Sequence, residues 1–255
     1  MPVYQAVVLG IIQGLTEIFP ISSSGHLIIF PEILGWETHS LAFDAALHLG
    51  TAFALLWWFK KSWLELFRSR SWRMILFIIL ASVPVGLAGL FWRDFIEDTL
   101  RDPRLISFSL MAVAVLMLLA ERIYRRRETV NKEAGILDVL AIGFAQTLAL
   151  FPGVSRSGIT ILTGMGRGLR RDRAAHFSFL ISLPIVFAAG GYELLGVWRS
   201  GVLAAEAVNF GTGILTSFLV GLLAIRFLFS ILRRYSLVPF ALYRIVLGGL
   251  LFLFL

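Results

Sequence analysis

The chain has 255 residues, 58% hydrophobic and only 15% charged, with 22 Phe and 7 Trp and a mean hydropathy of +0.85. A soluble globular domain carries about 25% charged residues, so composition excludes an ordinary soluble enzyme, a disordered chain and a nucleic-acid binder, and points to the bilayer as solvent. There is no cysteine, which excludes disulfides and thiolate metal sites.

In chain order, the N-terminus has no basic region and no small-residue cleavage site, so no cleavable signal peptide is expected. Residues 3–34 are apolar but broken midway by Pro20, Ser22, Ser23, Ser24 and Gly25, leaving halves too short to cross. Residues 43–59 hold only Asp44, and 74–92 and 105–120 hold no charge. Residues 136–169 form a second broken apolar stretch, interrupted at Pro152, Gly153 and Ser155. Residues 174–198 hold only Glu193, 208–225 hold no charge, and 235–255 hold only Arg244. Irregular backbone at membrane depth is tolerated only where protein buries it or a wet cavity meets it. The expected fold is therefore an all-α integral membrane protein, a single domain over 1–255. It has six transmembrane helices (43–59, 74–92, 105–120, 174–198, 208–225 and 235–255). Two re-entrant helix–loop–helix hairpins, 3–34 and 136–169, complete it.

Charge placement orients this layout. Most of the 23 Lys and Arg residues fall in 60–73, 121–135 and 166–174 and at Arg226, Arg233 and Arg234. The other side holds Arg93, Arg101, Arg104 and Arg199, and 1–42 hold none. The basic side is cytoplasmic by the positive-inside rule, so the second hairpin enters from the cytoplasm and the first from outside. The net charge of +7 then needs no polyanionic partner. The tract Arg125-Arg126-Arg127 is a topology signal, with attraction for anionic lipid secondary.

The two hairpins also repeat one another. Gly10, Gln13, Phe19, Pro20, Ser22, Ser24 and Gly25 answer Gly143, Gln146, Phe151, Pro152, Ser155, Ser157 and Gly158, with equal spacing from first to last glycine. Two copies inserted from opposite faces make an inverted-topology repeat, with halves of roughly 1–120 and 121–255 and a polar site expected near midplane where they meet.

Each hairpin carries a polar motif. In the first, Gln13 and Glu17 share one helix face. A carboxylate in an apolar run needs a reason, and an oxygen-lined spot at a half-helix C-terminus suits a hard cation. The alternative is a structural pair with an arginine. Ser22, Ser23 and Ser24 precede the next half-helix, where at least one is an N-cap. His26, one turn on, suits acid–base chemistry or phosphate binding, unless it is only a satisfied polar residue. In the second motif, Gly153 lets backbone approach a ligand, and Ser155, Ser157 and Thr160 supply hydroxyls before a half-helix N-terminus. That is an anion cradle. Arg156, costly at midplane, offers a planar fork for phosphate, unless it only pairs with Glu17. His48 and Asp44 suit a packing or helix-end part, with catalysis as the lesser alternative, His176 lies beside the basic cluster, and Glu193 and Arg244 are candidates to pair with each other.

Gln13…Glu17, Pro20…His26 and Pro152…Thr160 resemble the motifs of the undecaprenyl-pyrophosphate phosphatase family of bacitracin-resistance type. The stretches 43–50 and 177–184 resemble it too. The resemblance implies hydrolysis of a polyprenyl diphosphate to the monophosphate, recycling the lipid carrier for cell-wall synthesis. It implies a requirement for Mg²⁺ or another divalent cation such as Ca²⁺, and a pocket open outward from the bacterial cytoplasmic membrane. By position, Glu17 takes the metal-linked part with Gln13 beside it, Ser23 is the nucleophile, His26 the acid–base group, and Arg156 the diphosphate clamp. Ser22, Gly153, Ser155, Ser157 and Thr160 line the substrate. Gln13 stands where many members carry Glu, which removes one negative charge from the cation site.

The expected mechanism has Ser23 attacking the terminal phosphorus while His26 takes its proton, with direct water attack as the variant. The competing class is a secondary transporter or flippase for a phosphorylated lipid or small anion, which shares the inverted-repeat layout. Expected partners are the polyprenyl diphosphate and membrane lipids, no nucleic acid, with a homodimer left open.

Overall fold

A computed structural model of the chain describes residues 1–37, 39–100, 102–126, 133–199 and 202–254. Arg101, Arg127 and Lys132, used above to orient the chain, lie outside the described residues, as does the Arg93 side chain. The described residues form eleven α-helices and one short 3-10 turn, with no strand among them.

The first broken stretch is α1 (Val3–Ile18) and α2 (Ser23–Ile33), separated by a short loop. After them come α3 (Leu41–Trp58), α4 (Lys60–Arg68), α5 (Trp72–Thr99) and α6 (Pro103–Arg125). The second broken stretch is α7 (Ile136–Thr147), a 3-10 turn over Leu148–Leu150, and α8 (Arg156–Gly166). Three long helices close the chain: α9 (Arg171–Arg199), α10 (Val202–Arg234) and α11 (Val238–Phe254).

Among the described residues, five helices are long and apolar enough to cross a membrane: α3, α5 over Trp72–Trp92, α6, α9, and α10 over Glu206–Arg234. This is a multi-pass membrane protein. The sixth expected span, 235–255, is α11, an apolar helix of 17 residues. The apolar run of α5 ends where its backbone leaves helical geometry at Trp92 (φ −114°, ψ 15°). The basic connection after α3 is itself helical, as the amphipathic α4.

Prolines set both breaks. A residue before proline is pushed out of the α region. Accordingly Phe19, before Pro20, adopts φ −73° and ψ 143°, and Phe151, before Pro152, adopts φ −78° and ψ 120°. Each helix restarts on a serine with positive φ: Ser22 (77°) and Ser155 (72°). Their hydroxyls accept hydrogen bonds from the backbone N–H of Gly25 at 3.4 Å and Gly158 at 3.1 Å. Glycine would relax the backbone there, but only a side-chain oxygen caps the helix.

Each copy packs on a long helix from the opposite half of the chain: α1 on α10, and α7 on α5. Glycines permit the approach. A Cβ at Gly10 would stand 2.8 Å from Thr216 Cβ, one at Gly14 2.7 Å from Val220 Cβ, and one at Gly143 2.8 Å from Ala81 Cα. Small residues spaced this way let membrane helices close on each other. α8 is seated on α6, α7 and α9, whereas α2 rests mainly on α1.

Candidate active site

The two breaks meet. Glu17, in the last turn of α1, forms an ion pair through Oε1 with Arg156 Nη2, at the first residue of α8. Its other oxygen, Oε2, accepts from Ser23 Oγ, at the first residue of α2, at 2.6 Å. The same Oε2 lies 3.3 Å from His48 Nε2 and 3.4 Å from Gln13 Nε2. Glu17 is only 7% exposed and Gln13 is fully buried. A buried carboxylate without partners would be costly, and here three helices besides its own, α2, α3 and α8, supply them.

The site residues expected from the motifs divide into two groups. Gln13, Glu17, Ser23 and Arg156 converge directly. Ser157 joins the copies by donating to the Glu17 carbonyl at 3.3 Å and the Phe19 carbonyl at 3.4 Å. The others are taken up by structure. Ser22 and Ser155 are N-caps. Thr160 donates to the Arg156 carbonyl at 2.7 Å and pairs with Ser178 of α9 at 2.6 Å, so its hydroxyl fixes α8. Gly153, at φ +92°, packs against α6, where a Cβ would meet the Ile106 carbonyl at 2.7 Å.

His26 departs from expectation. Its Nδ1 donates to the Ser22 carbonyl at 2.6 Å, and its Nε2 lies 2.7 Å from the Tyr243 hydroxyl of α11. Both ring nitrogens are occupied away from Ser23, so in this arrangement His26 braces the loop. The physical reason is helical phase: three residues beyond Ser23, His26 turns back to its own N-cap carbonyl and to α11.

Arg244 was a candidate partner for Glu193. Instead its guanidinium, fully buried, donates to backbone carbonyls of both breaks: Pro20 at 3.2 Å, Gly153 at 2.7 Å and Val154 at 3.2 Å. It also reaches Leu110 at 3.2 Å and Ser109 at 3.4 Å, on α6. Its three nitrogens thus serve five carbonyls, three of them at the breaks, where the helix leaves carbonyls unpaired. His48, read as a packing residue, stands instead at the carboxylate. Both lie outside the two polar motifs, although His48 falls in the 43–50 stretch, one turn after Asp44.

For a cation, the donor set is lean. Among the described residues no group of three or more His, Asp and Glu side chains gathers at one point. Glu17 offers one carboxylate, and Gln13 Oε1 is buried with no partner. A hard cation held by one carboxylate and completed by water and substrate phosphate fits this set. For an anion, Arg156 Nη1 is likewise buried and unpartnered, beside the N-termini of α2 and α8.

A single acceptor carboxylate, a serine hydroxyl on it, and an arginine with a spare donor are the parts of a phosphoryl-transfer site. Comparison with known proteins agrees with that chemistry. The chain is 44% identical to an undecaprenyl-diphosphatase of Rubrobacter xylanophilus, with 96% of each chain covered. It is 42% identical to one of Thermodesulfovibrio yellowstonii, covering 98% of this chain and 96% of the relative. Against undecaprenyl-diphosphatase 2 of Stutzerimonas stutzeri it is 39% identical over 98% of this chain and 97% of the relative. The family model described as bacitracin resistance protein BacA matches residues 6–250, and with both breaks inside that match, the chain belongs to the BacA family.

Proposed function

We propose that the chain is a membrane phosphatase that hydrolyses undecaprenyl diphosphate, or a closely similar polyprenyl diphosphate, to the monophosphate and inorganic phosphate. It thereby returns a lipid carrier to cell-wall synthesis. One observation carries this reading: Glu17 holds Arg156 from one break and Ser23 from the other on a single buried carboxylate. The relatives' printed name and their near-complete overlap support it.

In this reading α3, α5, α6, α9, α10 and α11 span the bacterial cytoplasmic membrane. The α1–α2 and α7–α8 pairs are re-entrant hairpins from opposite faces, halves of an inverted repeat, and the site opens outward. Arg156 exchanges Glu17 for the diphosphate, which its fork can grip at two oxygens. Ser23 Oγ, aimed by Glu17, attacks the terminal phosphorus and gives up its proton, which ends on the departing monophosphate. The bridging P–O bond breaks, and the monophosphate leaves with the electron pair. Water then cleaves the Ser23 phosphoester, releasing phosphate and restoring the hydroxyl. A divalent cation, Mg²⁺ or Ca²⁺, when bound neutralises diphosphate charge, with Glu17 and Gln13 Oε1 the groups that would hold it.

The test is phosphate release from undecaprenyl diphosphate by the purified protein in detergent, with and without chelator. Release that the chelator abolishes is expected. A lipid diphosphate left intact would place the chain among carriers. Ser23→Ala is expected to lower kcat by at least about 10³-fold, and near-normal turnover would reassign the attack to water.

A further inference from the structure

We infer that a second pocket, on the basic face and away from both breaks, binds the headgroup of an anionic membrane phospholipid. It lies where α5 and α9 begin and α10 ends, and its volume of about 550 Å³ is that of a small-molecule site. The inference stands apart from the phosphatase reading and needs only that these helices lie in a bilayer.

Three helices line the pocket with the same pair of residues. α5 brings Arg73 and Phe77, α9 brings Arg173 and Phe177, and α10 brings Phe229 and Arg233. Residues four apart share a helix face. α10 ends where α5 and α9 begin, and its order is reversed, so in all three the phenylalanine lies one turn deeper in the span than the arginine. The result is a ring of three guanidiniums over an apolar floor. Arg73 already shows the coupling, with its Cζ 5.2 Å from the Phe77 ring centre and its Nη2 donating to the Ala134 carbonyl at 3.2 Å.

Charge at the pocket favours an anion. Two carboxylates line it, Glu133 and Asp172, and Asp172 is taken by Arg170 at 3.1 and 3.2 Å. The neighbouring Arg167, Arg170 and Arg171 each have a carboxylate partner. Among the described residues, Arg73, Arg173 and Arg233 have none, which leaves three guanidiniums against the single charge of Glu133. The N-termini of α5 and α9 add positive potential. The level is that of lipid headgroups. Trp72 and Tyr235, both exposed, lie one and two residues from Arg73 and Arg233, and exposed Trp and Tyr at span ends mark the membrane–water boundary. Basic pockets between membrane helices on such a face hold anionic headgroups. The apolar floor selects lipid over free phosphate: the phosphodiester meets the arginines, and the first part of an acyl chain meets the phenylalanines. A bound lipid would bridge α5, α9 and α10, and α5 and α10 are the helices on which α7 and α1 pack.

The test titrates phosphatidylglycerol into purified full-length protein in detergent and counts bound lipid by native mass spectrometry. The parent is compared with a pocket triple, Arg73→Gln, Arg173→Gln and Arg233→Gln. A second triple of equal charge, Arg68→Gln, Arg226→Gln and Arg234→Gln, removes exposed arginines outside the pocket. An arginine near an anionic headgroup is worth about fivefold in affinity. The pocket triple is therefore expected to bind phosphatidylglycerol about 10²-fold more weakly, with the second triple within about fivefold of the parent. Phosphatidylcholine, which has no net charge, should bind parent and pocket triple alike. Phosphatidylglycerol should raise the melting temperature of the parent and not of the pocket triple. Should the pocket triple aggregate, Arg173→Gln and Arg233→Gln singly should each weaken binding about fivefold. Equal weakening in the two triples would mean diffuse attraction to the whole basic face and would overturn the inference. So would displacement of the lipid by millimolar inorganic phosphate, which would mark a site for the free ion. Parent-like binding by the pocket triple or by both single variants, or no binding by the parent, would overturn it as well.

Discussion

Glu17 divides one carboxylate between two tasks. Oε1 holds Arg156, while Oε2 receives Ser23 with His48 and Gln13 close by. The carboxylate and Arg156 were legible in the sequence, because a charge in an apolar run needs a reason, whereas Ser23 stood out from Ser22 and Ser24 only through the family resemblance. Arg244 and His48 were not legible. The partners that matter come from distant parts of the chain: Glu17 and Ser23 for His48, the carbonyls of both breaks for Arg244. Backbone carbonyls, the partners of Arg244, have no sequence signature at all. Replacing Arg244 by Met leaves the carbonyls of Pro20, Gly153 and Val154 without their donor. Each buried group left unsatisfied costs on the order of 1–3 kcal/mol. Thermal unfolding in detergent should therefore fall sharply for Arg244→Met. Arg244→Lys, with one ammonium where the fork served five carbonyls, should recover only part of the loss. Equal melting of all three proteins would show that the guanidinium does not hold the breaks together.

At the scale of elements, the breaks were predicted and found, because X-Pro sterics and serine caps are local. Helix ends were read less well. Windows free of charge measure the apolar slab, whereas α9 starts at Arg171 and α10 runs to Arg234. Arginines are good helix formers and extend the helices past the apolar region. α4 was missed for the same reason, since a basic stretch reads as a connection until its Trp63 and Leu66 are seen packing inward. Close helix contacts also set limits on substitution. A Cβ at Gly50 of α3 would overlap Ser217 Oγ and the Ile214 carbonyl of α10. Gly50→Ala must therefore separate α3 from α10, at about 1–3 kcal/mol, and displace His48 and Thr51 with them. It should lower both the melting temperature and kcat. Gly249→Ala, with nothing within 4 Å of its added Cβ, should change neither. Parent-like melting and turnover in Gly50→Ala would refute the tight contact.

Over the whole molecule, the site draws on both broken stretches, Glu17 and Ser23 from the first and Arg156 from the second. Matched through their first and last glycines, the copies place Ser23 opposite Arg156 and Glu17 opposite Leu150. Equivalent positions thus hold different chemistry, a hydroxyl in one and a guanidinium in the other, converging on the carboxylate that only the first copy has. The sequence disclosed the copies and their spacing. It could not disclose the seating of α8 on α6 and α9 or the lighter packing of α2, since those follow from long-range fit. Opposed insertion makes its own prediction. The chain has no cysteine, so single cysteines report cleanly. Glu37→Cys, after α2, should react with a membrane-impermeant maleimide in intact cells. Ser69→Cys, after α4, should react only after permeabilisation. Labelling of both from outside would contradict the layout.

The central claim is that Glu17 and Arg156, from two different breaks, act on one diphosphate. A double-mutant cycle reads this directly: kcat/KM for undecaprenyl diphosphate in the parent chain, Glu17→Gln, Arg156→Gln and the double variant. Groups that act as a unit are strongly non-additive. The account predicts that each single change loses about as much as the pair, at least about 10³-fold. Losses that multiply, with the double variant falling by the product of the two, would mean that the residues act at separate places and would contradict it.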